Sequence, residues 1–208
     1  MVFDPKSIRV ARIKEEQEYE GLRVNLVARL ERAKISMQVD IGFGDVIVPP
    51  PKEIQYPALL NFPTPRLRAY SREAVVAEKL EALVKLGMAN TRMKDFYDLW
   101  RLSQDFDFDG TLLTEAIKST FERRGTEVPV GTPLALTDEF SRDTQKSRQW
   151  QAFLKKSGLE HDQAPTLDAV AADLVKFLAP PLQAVRTSDS FTLIWPKAGP
   201  WRHARASI

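Results

Sequence analysis

The chain has 208 residues, 43% hydrophobic and 28% charged, with 30 Lys and Arg against 28 Asp and Glu. That length and apolar content suffice for one large domain or a domain with a helical extension, and the near-balanced charge confines any nucleic-acid binding to a local basic surface. The absence of cysteine excludes disulfides, thiol catalysis and cysteine-type zinc sites, and the presence of only His161 and His203 argues against Ser-His-Asp chemistry. No apolar run approaches the ~20 residues that span a bilayer, and the start MVFDPKSIRVARIKEE has no apolar signal core. A cytoplasmic protein is the default expectation.

In chain order, Phe3 to Ile13 reads as extended, with Pro5 limiting its regularity. Residues 21–28 alternate apolar and polar and predict a strand with one solvated face. Ile35 to Phe43 predicts a second strand, and the short polar link between the two predicts an antiparallel hairpin. Gly42, Gly44 and Pro49-Pro50-Pro51 interrupt regular structure before a short strand at Glu53 to Leu60.

From Ser71 the apolar period changes to 3.6. Ser71 is a suitable N-cap for a helix reaching Leu86, and Gly87 stands where helices end. Asn90 or Thr91 is expected to cap a second helix ending near Gln104, followed by a turn at Asp107 to Gly110. Further helices are expected at Leu112–Arg124, Asp138–Lys156 and Thr166–Leu178, with Pro180-Pro181 closing the helical part and a short strand within Phe191 to Trp201. Strands first and helices after is an α+β order. The implied organisation is a partial sheet at 1–65, a helical region at 66–180 and a tail at 181–208.

Charge enters the apolar stripes of both central helices. In the first, Val76, Leu80, Leu83 and Gly87 mark the inner face, and Lys79 projects between Leu83 and the Val75/Leu86 edge. A lysine there either snorkels to solvent or reaches into a cleft, where it can meet phosphate oxygens. In the second, Met93, Phe96, Leu99 and Trp100 form the expected buried face, with Arg92 and Asp95 also projecting inward. These two form either an internal ion pair or part of a polar cleft, whereas Lys94 and Asp98 read as a solvated i,i+4 pair. Asp40, between apolar neighbours on a strand, is either a solvated edge residue or a cation ligand; Asp45 sits in a loop.

The stretches Val39-Asp40-Ile41-Gly42-Phe43-Gly44-Asp45, Ala77-Glu78-Lys79-Leu80-Glu81-Ala82 and Asn90-Thr91-Arg92-Met93-Lys94-Asp95-Phe96-Tyr97-Asp98-Leu99 together resemble the AbiEii/AbiGii toxin family. That family is similar to the DNA polymerase beta-like nucleotidyltransferases. The likeness continues through Thr120 to Arg124 and Gln149 to Leu154. It implies a toxin of a toxin–antitoxin or abortive-infection system that transfers a nucleotide from an NTP to an RNA acceptor, tRNA foremost, with magnesium as cofactor. It also implies an antitoxin encoded nearby. On the matching positions, Asp40 becomes the third metal carboxylate, Lys79 the lysine near the nucleotide phosphates, and Arg92 to Asp98 an Arg-x-Lys-Asp-x-x-Asp signature. Asp40, Lys79 and Asp95 are then the expected catalytic residues, and Lys79, Arg92 and Lys94 the nucleotide-binding ones. The Gly-Ser or Gly-Gly turn followed by Asp-x-Asp that the superfamily carries is not found in the 208 residues. The expectation is of a chain lacking that N-terminal motif and impaired in transfer, the alternative being a non-catalytic homologue or inactive fragment.

Overall fold

Register explains why residues 21–42 form the hairpin that their alternation predicts. In the computed structural model, which describes residues 1–13, 21–43, 47–58, 60–159 and 165–204, strand β1 (Val2–Ile13) pairs antiparallel with β2 (Gly21–Leu30). Strand β2 in turn pairs antiparallel with β3 (Ala33–Gly42). The turn is Glu31-Arg32, and Glu31 takes the positive φ of 53° that a tight hairpin of this hand requires. Opposite residues share a face, so Leu22, Val24, Leu26, Met37, Val39 and Ile41 line one side. Arg23, Asn25, Gln38 and Asp40 line the other.

Pro5 lies in a register break of β1 between Asp4 and Arg9, where a missing N–H interrupts no ladder bond. Ser7 bridges the break: its hydroxyl accepts from the Val27 N–H at 2.8 Å and donates to the Asp4 carbonyl at 2.6 Å. Residues 1–46 form one unit and residues 47–208 a second. Asp45 and His161 lie outside the described residues.

The second unit opens with a small antiparallel pair, β4 (Lys52–Gln55) with β5 (Arg66–Ala69), of which only β4 is visible in the alternation. Helix α1 (Arg72–Leu86) follows. The Ser71 side chain accepts from the Ala74 N–H, and Gly87 ends the helix at φ 47°. Helix α2 (Met93–Asp105) leads to β6 (Phe108–Asp109) and then to α3 (Gly110–Arg123), whose N-cap is Asp109. The expected turn at Asp107 to Gly110 is therefore a two-residue strand and a helix cap. The expected helix at Asp138–Lys156 is two, α4 (Asp138–Ser141) and α5 (Thr144–Lys156). Asp143 interrupts it because its carboxylate accepts from the Lys146 N–H and starts a new helix.

Helix α6 (Leu167–Thr187) runs through Pro180 and Pro181, although prolines there predict its end. A proline donates no N–H to the carbonyl four residues back, so Lys176 and Phe177 lose their helical partners. The Phe177 carbonyl is recovered from outside: the Trp201 indole donates to it at 2.9 Å, its ring stacked on Phe177. Burial of Leu174, Phe177, Leu178 and Leu182 holds the rest of the helix in place. The expected strand in the tail is β7 (Ile194–Trp195), paired with β6. The Trp195 indole donates at 2.8 Å to the carbonyl of Ser103, which lies in the last turn of α2 where carbonyls lack helical partners.

With a hairpin sheet followed by a helical body, the fold is α+β. The core of the helical body includes Leu80, Leu83, Phe96, Leu99, Ile117, Phe121, Phe140, Trp150, Leu174 and Phe177. Trp100, expected on the buried face of α2, is only partly buried, packed at the core's margin. Trp150 is 1% exposed and its indole donates to the Pro165 carbonyl at 3.0 Å. Trp150→Ala is expected to lower stability by about 3–5 kcal/mol, measured by urea unfolding. A loss below about 1 kcal/mol would show that the ring is not a core element.

Candidate functional site

Helical periodicity places Lys79 at the edge of the inner stripe of α1, where its aliphatic stem is covered and its ammonium needs oxygen. Helix α2 supplies two. Lys79 Nζ donates to Asp95 Oδ1 at 2.5 Å and lies 2.9 Å from Asp98 Oδ2. Asp98 Oδ2 also accepts from Lys94 Nζ at 2.6 Å. The Lys79, Asp95 and Asp98 side chains are 21%, 16% and 25% exposed, against 71% for Lys94. Asp98 is therefore not the solvated residue that its i,i+4 spacing to Lys94 suggests. It is shared between a half-buried lysine and an exposed one.

Burial works against the Lys79 ammonium, but the hydrogen bonds and charges of Asp95 and Asp98 outweigh it and hold its pKa above the ordinary lysine range. Lys79 stays charged at neutral pH. An ammonium has three donors, and these contacts take two. The third has no hydrogen-bond partner among the described residues.

Arg92 does not share the inward stripe. Helix α2 starts one residue later, at Met93, so the helical projection does not apply to Arg92, and its side chain is exposed. What is fixed there is backbone. The Arg92 N–H donates to Asn90 Oδ1 at 2.8 Å, an Asx turn that sets the entry to α2. Asn90 is fully buried, and its carbonyl accepts at 2.8 Å from Lys146 Nζ on α5, a lysine only 5% exposed. Arg92 and Lys94 thus present two exposed cations beside the half-buried Lys79 cluster.

Asp40 belongs to the first unit. It stands opposite Arg23 in the ladder, and both its oxygens accept from the guanidinium, at 2.9 Å each, with further contacts from Gln38. The Arg23 hydrogen bonds hold its carboxyl below the ordinary aspartate range. A magnesium ion here would have to displace that guanidinium. Among the described residues no group of three or more His, Asp or Glu is placed to hold a metal. The described residues do not on their own fit the magnesium that the resemblance implies.

A second charged cluster lies deeper on α1, at a position that the apolar stripe alone does not single out. Glu81, two residues beyond Lys79, is 1% exposed and accepts from Arg124 Nη1 and Thr126 Oγ1, both at 2.6 Å. It ties α1 to the end of α3. A signal for it is present in the sequence: Ala74 and Ala77, both buried, widen the inner stripe of α1 until it includes position 81.

Residues 2–173 match the family model described as nucleotidyl transferase AbiEii toxin, type IV toxin–antitoxin system. The chain belongs to this family of nucleotidyl transferase toxins. Membership implies a nucleotide substrate and an antitoxin counterpart. Comparison with curated proteins and with solved structures found no match. No helix among the described residues is long and apolar enough to cross a membrane.

The charge state of Lys79 can be tested through its linkage to folding. A pKa raised by folding contributes stability in full below the unfolded-state value, and that stability is lost as pH rises through the folded value. The stability difference between the parent protein and Lys79→Met is therefore expected to stay level between about pH 6 and pH 9 and to shrink above the ordinary lysine range. Chemical unfolding across that range measures it. A difference that disappears already near neutral pH would mean that Lys79 is not held as a cation.

Proposed function

We propose that the chain transfers a nucleotide from an NTP to an RNA acceptor, with tRNA the foremost candidate, and that the groups on α1 and α2 carry the substrate contacts. The observation behind this reading is the Lys79–Asp95–Asp98 cluster flanked by Arg92 and Lys94. In it, Lys79 and Lys94 pair with Asp95 and Asp98, and the exposed Arg92 just before α2 adds a third cation, a balance that attracts a polyanion. Lys79 offers its remaining donor to a phosphate oxygen as a point charge, and Arg92 and Lys94 meet the outer phosphates from solvent. Asp95 gives one oxygen to Lys79. The other is left to accept the proton of the attacking hydroxyl, the role of a general base, as that oxygen bonds the α-phosphorus and the α–β phosphoanhydride bond breaks to release pyrophosphate. The paired ammonium fixes the orientation of that carboxylate before substrate arrives, so little reorganisation is needed at the moment of transfer.

The experiment separates binding from transfer. Calorimetric titration with each NTP, with and without magnesium, reads binding; incorporation of radiolabelled NTP into total tRNA reads transfer. Lys79→Met is expected to weaken triphosphate binding by about tenfold or more, the effect of removing one charge-assisted phosphate contact. Asp95→Asn is expected to keep binding within a few-fold and to lose at least about a hundredfold in transfer, within the usual range for removal of a general base. Binding without transfer by the parent protein would favour the non-catalytic homologue. Transfer undiminished by both substitutions would refute the assignment of these residues.

A further inference from the structure

Helix α5 has two faces with different work. Lys146, Trp150 and Leu154, at i, i+4 and i+8, are its buried residues. Through Lys146 Nζ this face holds the Asn90 carbonyl, and Asn90 in turn holds the Arg92 N–H at the entry to α2. At 100° per residue, Thr144, Arg148, Gln151 and Lys155 fall away from that face, and all four are exposed. The helix carries Lys146, Arg148, Lys155 and Lys156 and no acidic residue. Its first turns, with Arg142 just before them, line a cleft of ≈ 420 Å³ formed by Arg142, Thr144, Ser147, Arg148 and Gln151.

This lining is rich in donors, and three carboxylates act beside it: Asp138 pairs with Arg142, Asp143 caps α5, and Asp168 feels the Arg142 charge. Two guanidiniums, two hydroxyls and a carboxamide all donate hydrogen bonds, and no carboxylate lines the cleft. Arg142 is oriented by an exposed pair with Asp138 at 3.4 Å. Arg148 makes no ion pair or hydrogen bond among the described residues. The start of α5 is capped by Asp143, whose carboxylate accepts from the Lys146 N–H at 2.9 Å and already stands at the positive end of the helix. Guanidinium forks suit phosphodiester oxygens, and among the described residues Arg148 has no carboxylate partner to give up.

We infer that this cleft binds the phosphate backbone of the RNA acceptor, so that one helix both props the entry to α2 on its inner side and carries acceptor strand on its outer side. The inference rests on the reading that the acceptor is RNA. The contact is to backbone, so it positions the acceptor and does not read its sequence.

The test uses the full chain, fluorescently labelled tRNA and a salt series. The parent protein is expected to bind with an affinity that falls steeply with salt. Arg142→Glu/Arg148→Glu, both on exposed side chains, is expected to lower affinity at least about tenfold and to flatten the salt slope by about 2, because each arginine neutralises one phosphate in the parent complex. The same variant should titrate NTP as the parent does, and millimolar ATP should not displace the tRNA. Equal tRNA binding by parent and variant would overturn the cleft while leaving the RNA acceptor standing. Displacement by ATP would assign the cleft to free nucleotide and overturn it as well. If the parent binds no RNA at all, the RNA acceptor falls and the cleft assignment with it, while NTP binding by the parent would still support the nucleotide site.

Discussion

A lysine whose side chain is four-fifths covered cannot keep its charge without oxygen around it, and Lys79 finds that oxygen on the neighbouring helix. The requirement constrains everything near it. Helix α2 must enter at a rotation that turns Asp95 and Asp98 towards α1 while Phe96 and Leu99 go into the core. That rotation is set where the helix begins, by the Asn90 side chain on the Arg92 amide and by Lys146 on the Asn90 carbonyl. A buried ammonium on α5 therefore bears on the orientation of two carboxylates on α2. Lys146 itself sits 5.0 Å from the centre of the Phe140 ring, which offsets part of its lost hydration.

The two clusters on α1 divide the labour of its polar residues. Glu81, almost wholly buried, is satisfied by Arg124 and Thr126 and leaves no capacity for a ligand. Lys79, at the rim, is satisfied but keeps one donor. The difference is one of solvent access. A fully buried charge must have every partner built into the fold, because losing one costs several kcal/mol, whereas a charge at the edge can accept a visiting partner.

Much of this architecture is legible in residue order. Strict alternation in 21–28 and the change of period at Ser71 locate the hairpin and the first helices, because those signals depend on local burial alone. The edge position of Lys79 follows from its angle on α1. Arg92 defeats the same projection because a projection assumes a helix, and the Asn90 side chain delays its start to Met93. Asp98 defeats it because spacing to Lys94 says nothing of a third charge on another helix. Glu81 with Arg124, separated by 43 residues, is a tertiary pairing that no local pattern encodes. The prolines of α6 mislead for the same reason. Their cost is local, but the group that compensates for one of them is Trp201, far along the chain.

That last contact bears on the order in which the protein is assembled. The backbone bond missing at Pro181 is replaced by an indole that arrives 24 residues after Phe177, and the end of α2 is completed by Trp195, 92 residues beyond Ser103. Closing so wide a loop is slow compared with winding a helix. A chain emerging from the ribosome thus holds α2, α3 and α6 with Phe108 and Phe177 still unroofed until the tail arrives. The last turn of α2 and the proline-broken turn of α6 therefore gain their final hydrogen-bond partners only after the helices themselves have wound.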